Sequence, residues 1–268
     1  MFPIPIVFEE QERILKKTST QVVMDWDEAM AIEMREMQDI CRLADIDFDF
    51  VIDQSGSVGE TEWRKTMNII AKNWIETIQP NGAQTCGNHV AARKFSGDYR
   101  SQYPDEDKFH ERWHDFTPPP ESEYEKFPNY TEYMKSVFIK EPYKGGNTHT
   151  AWALQKVNEE DIPLTRDGQK FVMVFTDGQS NDPHWSSWPN LQQEADKLAN
   201  NTDAVFSIGI TDDINESELK VIASDDRFVA KIKRFDDMQY LINKFVLEQD
   251  GCATPERKPF RKCSMIFA

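Results

Sequence analysis

Residues 171–177 read Phe171-Val172-Met173-Val174-Phe175-Thr176-Asp177, and they decide the fold. Apolar side chains follow one another without polar alternation, the signature of a strand covered on both faces in a parallel sheet. The run then stops on a carboxylate. Phe48 to Asp53 (FDFVID) reads as a second buried strand with the same ending. Outward from these two, His89 to Phe95 (HVAARKF), Ala204 to Ile210 (AVFSIGI) and a more polar Phe228 to Phe235 supply further strands. Helical spacing separates them. Trp63, Met67, Ile70, Trp74 and Ile78 share one face, as do Ala151, Leu154 and Val157, and then Leu191, Ala195 and Leu198. Met134, Val137 and Phe138 mark a shorter helix, and Met238, Leu241, Ile242 and Phe245 a closing one. Asn81-Gly82 signals a turn. The polar, aromatic segment 97–131, with Pro118-Pro119-Pro120, predicts a short edge strand and an elaborated loop. Strands alternating with helices predict an α/β protein whose doubly wound, mainly parallel sheet is flanked by helices on both faces.

The chain has 268 residues, enough for one large domain with appendages. Residues 1–40 read as an N-terminal extension, helical because Trp26, Met30, Met34, Met37 and Cys41 recur at helical spacing. That stripe packs on the main body or offers an adaptable methionine face to a partner helix. Lys and Arg number 31 against 47 Asp and Glu, a net charge of −16. Such an excess repels phosphates, so nucleic acid and anionic membrane surfaces are excluded as partners. No apolar run approaches the roughly 18 residues of a membrane span. The opening Met1-Phe2-Pro3-Ile4-Pro5 is not read as a signal peptide, which leaves a cytosolic chain and a mature secreted one both open.

In an open parallel sheet, ligands bind beyond the carboxyl ends of the strands. Asp53 and Asp177 both stand there. Around the first the sequence supplies hydroxyls, in Asp53-Gln54-Ser55-Gly56-Ser57, and Gly145-Gly146-Asn147-Thr148-His149-Thr150 brings more just before a helix. Two carboxylates and several hydroxyls form a hard oxygen set, suited to Mg²⁺ or Mn²⁺ rather than Zn²⁺ or Cu²⁺. No Gly-x-Ser-x-Gly elbow, P-loop or dinucleotide fingerprint occurs.

At these residues the sequence resembles the von Willebrand factor A domain family, which includes the integrin inserted domains. The family's metal-ion-dependent adhesion site is matched by Asp53-Gln54-Ser55-Gly56-Ser57, by Thr148 in its Gly-rich loop, and by Thr176-Asp177-Gly178. The resemblance covers residues 41–252 as one domain and leaves 253–268 as a C-terminal tail. It implies that Ser55, Ser57 and Thr148 contact Mg²⁺ directly (Mn²⁺ able to substitute), while Asp53 and Asp177 hold it through water. A displaceable water then yields to an exposed Asp or Glu of a protein partner. The function implied is a non-enzymatic adhesion or matrix-binding module, with extracellular-matrix or cell-surface partners. An intracellular assembly factor is the alternative. A hydrolase would need His149 or His184 as its base. In integrin relatives the final helix shifts to tune the site, and here that element is Asp237 to Glu248.

Other residues carry weaker expectations. Trp185 and Trp188 follow Asp177 in a loop and are candidates for ligand contact, as aromatics beside a polar anchor often are. His149 is a candidate lining residue. His110 and His114 have the spacing of a helical zinc pair, but the better reading is a solvated amphipathic segment. Asp45-Ile46-Asp47-Phe48-Asp49 is set aside as a phosphatase motif because its acids precede the strand. Cys41, Cys86, Cys252 and Cys263 all fall at the sheet end opposite the metal, and four cysteines permit two disulfides in three pairings. Resemblance to secreted relatives favours Cys41–Cys252, joining the domain's ends, with Cys86–Cys263. A disulfide at Cys252 would restrict sliding of the final helix. Three sequons, at Asn129, Asn200 and Asn215, join the cysteines in favouring an extracellular or secreted protein over a cytoplasmic one.

Overall fold

The computed structural model describes residues 46–80, 87–97, 110–182 and 188–231. Strand β1 (Ile46–Asp53) leads into helix α1 (Gly59–Ile69), which runs through a π turn at Ile70–Trp74 into α2 (Ile75–Ile78). Strand β2 (His89–Phe95) follows, then β3 (His110–His114), a one-turn α3 (Glu121–Tyr124), α4 (Tyr130–Lys140) and α5 (Thr150–Lys156). The chain continues through β4 (Gln169–Thr176), α6 (Leu191–Asn201), β5 (Ala204–Gly209), α7 (Glu216–Ile222) and β6 (Val229–Lys231).

The six strands lie in the order β3-β2-β1-β4-β5-β6. All neighbours are parallel except β3, which pairs antiparallel with β2 at the edge. From β1 the chain passes to β2 on one side and later to β4 on the other. The order therefore reverses between β1 and β4, and the crevice that such a reversal opens lies beyond their carboxyl ends.

Alternation along β1 splits its residues between two cores. Phe48, Phe50 and Ile52 join Phe171, Met173 and Phe175 of β4 against Trp63, Met67 and Trp74 and against Met134 and Phe138 of α4. Phe50 has no exposed surface and sits 5.5 Å from Phe138 and 6.1 Å from both Trp74 and Phe175, ring centre to ring centre. Truncating such a ring to alanine costs about 3–5 kcal/mol. On the other face Val51, Val172, Val174 and Val205 pack against Leu154 and Val157 and against Ala195 and Leu198 of α6. The periodicities read from the sequence thus fall on real faces.

Three readings need correction. His110 and His114 lie in β3, the short edge strand expected within 97–131, and not in a solvated amphipathic segment. His114 Nε2 is 3.3 Å from the Tyr130 hydroxyl, and burial pushes its pKa down to about 4. The apolar content of HERWH, Trp113, packs against the core and turns the segment into a strand. Helix α7 has no counterpart in the sequence reading, where Asn215 enters only as a sequon. Asn215 instead caps that helix, accepting from the Glu218 amide, and Asn129 likewise caps α4. The strand expected at Phe228 to Phe235 starts one residue later, at Val229, because Phe228 belongs to a 3₁₀ turn; residues 232–235 lie outside the described residues. The expectations on residues 1–40, on Asn81-Gly82, on the closing helix and on all four cysteines lie outside the described residues.

The acids of β1 are buried more deeply than their sequence context suggests. Asp47 accepts from the Arg166 amide at 2.6 Å and from its Nε at 2.9 Å. Asp49 lies among Asp161, Arg93 and Arg112, yet neither of its carboxyl oxygens has a hydrogen-bond donor among the described residues. Both arginines bond Asp161 instead: Arg93 Nε at 2.6 Å and Nη2 at 2.9 Å, and Arg112 Nη1 at 2.8 Å. Asp161 arrives there on a π turn, Val157–Asp161, which extends α5. Burial first, and then the Asp161 charge, hold the Asp49 carboxyl well above its usual range. A raised folded pKa means stability that is present at low pH and lost as pH climbs through that value. A neutral carboxamide at this position mimics the protonated acid and escapes the loss. In thermal melts at pH 5 and pH 9, Asp49→Asn should therefore gain on the native protein at the higher pH; a gap that does not change with pH contradicts a protonated Asp49.

Candidate metal centre

Asp53 closes β1 and Asp177 follows β4 by one residue, so the strand-order reversal sets both acids in the same crevice. Both are buried, at 0% and 1% exposure. Asp53 Oδ1 accepts from the Ser55 amide and Oδ2 from the Thr176 hydroxyl, each at 2.8 Å. Asp177 Oδ1 accepts from the Gln179 amide at 2.9 Å, while its buried Oδ2 has no partner among the described residues. Three hydroxyls form a line beside them: Ser55 Oγ to Ser57 Oγ spans 3.0 Å, and Ser57 Oγ to Thr148 Oγ1 spans 3.5 Å. Ser55 and Thr148 are buried, and Ser57 is exposed. The five residues singled out in the sequence, Asp53, Ser55, Ser57, Thr148 and Asp177, thus stand together.

Backbone contacts fix the loops that carry them. The Gly56 amide donates to the Gly146 carbonyl at 2.7 Å, Asn147 to Gly97 at 2.9 Å, and Asn181 to Thr148 at 2.7 Å. The Tyr143 hydroxyl donates to the Ser55 carbonyl at 2.9 Å. Gly146, at φ +122°, passes so near β2 that an added Cβ would lie 2.1 Å from the Gly97 carbonyl oxygen. Gly178, at φ +70°, approaches the Asn215 carbonyl to 2.8 Å by the same measure. Side chains are excluded from both places, and only glycine takes such backbone angles without strain.

Among the described residues, the hydrogen bonds to Asp53 and Asp177 come from neutral donors. Burial raises the Asp53 carboxyl to about 7, and the Asp177 charge adds to the effect against the hydrogen bonds from Ser55 and Thr176. Two desolvated carboxylates side by side are unfavourable unless a cation compensates them. A donor set made only of carboxylate and hydroxyl oxygens, with one buried oxygen unpartnered, fits a hard divalent ion.

The neighbouring residues differ from expectation. His149 does not line the surface. Its ring is buried at 3% exposure between Gly97 and Trp188, whose ring centre is 5.0 Å away. The room for it comes from Gly97, where an added Cβ would lie 2.3 Å from the ring. Trp188 is partly exposed, donates from Nε1 to Asp182 Oδ1 at 2.9 Å and leans on Trp152 at 5.2 Å. Trp185 lies outside the described residues. Sequence reasoning missed Asp182 and Glu218. Asp182 Oδ2 accepts from the Ala151 amide at 2.9 Å and so caps α5. Glu218 accepts from Thr150 and from the Ser180 amide; burial raises its carboxyl to about 7, with Asp182 and Asp177 adding to this. Asn215 followed three residues later by Glu218 was the available signal, since that spacing marks a helix start.

Residues 47–244 match the family model described as von Willebrand factor type A domain. The collagen alpha-1(XXI) chain of Xenopus laevis is 28% identical over 200 residues, which cover 73% of this chain and 17% of that protein. The chain spans less than a fifth of the length of the curated relatives it matches. Among solved structures, proximal thread matrix protein 1 from the mussel byssus, with a zinc-occupied MIDAS motif, is similar in fold. Its TM-score is 0.57 at 19% identity, covering 78% of this chain and 46% of that one. The manganese-loaded TRAP protein of Plasmodium vivax gives a TM-score of 0.56 at 17% identity, covering 76% of this chain and 74% of that one.

The raised Asp53 carboxyl is directly observable. In chelator, its ¹³C resonance should titrate with a midpoint near 7, its stabilising protonated form being lost as pH rises through that value. A midpoint near 4 would mean that neither burial nor the Asp177 charge acts on the Asp53 carboxyl.

Proposed function

The chain belongs to the von Willebrand factor type A domain family, and on that premise we propose that it is a non-enzymatic adhesion or matrix-binding module. It binds an exposed Asp or Glu of a protein partner through Mg²⁺, with Mn²⁺ able to substitute. The observation that carries this reading is the line of three hydroxyls beside two buried, uncompensated carboxylates. Ser55, Ser57 and Thr148 would hold the ion directly, and Asp53 and Asp177 largely through water. When bound, the ion supplies a positive charge and an exchangeable coordination place that a partner's carboxylate can take.

The protein's own residues have separate tasks. Asp53 and Asp177 attract the cation and are kept in place by the Ser55, Thr176 and Gln179 donors. Ser57 is the exposed member of the set and faces the partner's side. Trp188, braced by Asp182, offers a ring to whatever flanks the acidic residue; Trp185 belongs to the same loop. The mussel protein with zinc and the Plasmodium protein with manganese support a divalent ion in this fold. The collagen relative supports an extracellular setting, with matrix or cell-surface partners. On the same reading residues 41–252 form the domain, with 1–40 and 253–268 as appendages. Cys41–Cys252 and Cys86–Cys263 are its disulfides. Of the two bases a hydrolase would need, His149 is covered by Trp188 and burial lowers its pKa, and His184 lies outside the described residues.

Asp53→Ala and Thr148→Ala should abolish Mg²⁺ binding by calorimetry while leaving the circular dichroism spectrum unchanged. Capture of matrix and cell-surface proteins should disappear in EDTA; capture that persists there removes the proposal. Because Asp53 must be ionised to attract the cation, Mg²⁺ affinity should fall about tenfold per pH unit below 7.

A further inference from the structure

Glu218 lies on α7, an element that contributes none of the five candidate ligands. Its carboxylate nevertheless reaches both loops that do. Oε1 accepts from the Thr150 hydroxyl at 3.2 Å, two residues beyond Thr148. Oε2 accepts from the Ser180 amide at 3.1 Å, three residues beyond Asp177. The start of α7 is itself anchored. The Asn215 amide donates to the Asp177 carbonyl at 2.9 Å, and the Asn215 side chain caps the Glu218 amide at 3.4 Å. Leu219, the next residue, is fully buried.

We infer that Glu218 is a positioning residue for the metal centre: one side chain bonds the Thr148 loop and the Asp177 loop to α7 and fixes the two relative to the sheet. This rests on the cation reading proposed above. Other bonds tie the two loops to each other, such as Asn181 to Thr148 at 2.7 Å, and would let them move as a pair. Glu218 ties both to a third, packed element. Side chains that orient metal ligands from behind matter because ions such as Mg²⁺ demand close geometry. Glu218 is also held against the repulsion of Asp177 and Asp182. That arrangement is unfavourable without a cation and relieved by one, so ion binding and closure of the clamp favour each other.

The probe is Mn²⁺ alone, its affinity for the full chain read by electron paramagnetic resonance of the free ion. Glu218→Ala should weaken binding about tenfold, the lower end of the range for such supporting residues. Glu218→Gln, which keeps an acceptor for Ser180 and a polar group for Thr150, should stay within about threefold of the native protein. Thr150→Val cuts one arm and should fall between them; it carries the test if Glu218→Ala does not fold. A role in stability alone would lower the unfolding midpoint in chelator and leave the Mn²⁺ affinity unmoved, which would overturn the inference. Equal losses in Glu218→Gln and Glu218→Ala would also overturn it, because charge and not the clamp would then be responsible. Asp53→Ala separates the two levels. If it binds Mn²⁺ like the native protein, the cation reading fails and the clamp falls with it. If it does not bind, the Glu218 variants decide the clamp alone.

Discussion

Two carboxylates side by side with almost no water are a standing electrostatic problem, and the crevice between β1 and β4 is built around it. Asp53 and Asp177 cannot move apart, because each is tied to the end of a central strand. They are buried, at 0% and 1% exposure. The hydrogen bonds they accept come from an amide, a hydroxyl and a second amide, all neutral. Such donors orient a carboxylate without cancelling its charge. The proposed cation would complete the arrangement.

The same strand poses the problem three times. Asp47, Asp49 and Asp53 alternate with Phe48, Phe50 and Ile52, so all three acids belong to the face opposite the larger aromatic core. Each is compensated differently. Asp47 is held by a guanidinium, from Arg166. Asp49 lies near Arg93 and Arg112, but Asp161 takes their bonds, and burial with the Asp161 charge holds its carboxyl well above the usual range. Asp53 alone of the three stands at the carboxyl end of the strand, where the strand order reverses and where the proposed ion would sit.

The sequence carried the parts of this that depend on local pattern. Phe171 to Thr176 could not be mistaken for an alternating strand, and the Asp53-to-Ser57 motif lies within five residues of itself. What escaped it depends on distance along the chain. Glu218 is 68 positions from Thr150, and nothing near either residue announces the other. His149 was legible as a loop residue but not as one that turns inward, because that follows from Gly97, two residues beyond the end of β2, leaving room for a ring. HERWH misled because a spacing of four suits one face of a helix and one face of a strand alike. The π turn that delivers Asp161 has no sequence mark, since one extra residue in a helical turn leaves its composition unchanged.

The acidic surroundings of the crevice bear on how anything acidic arrives there. Asp182 and Glu218 stand beside the centre, and the whole chain carries −16. An approaching carboxylate on the proposed partner is therefore repelled at long range and attracted only at contact. Dissolved ions damp the first force beyond about 8–10 Å and scarcely touch the second. Seawater or plasma would thus speed the encounter that pure water hinders, the reverse of what salt does to oppositely charged pairs.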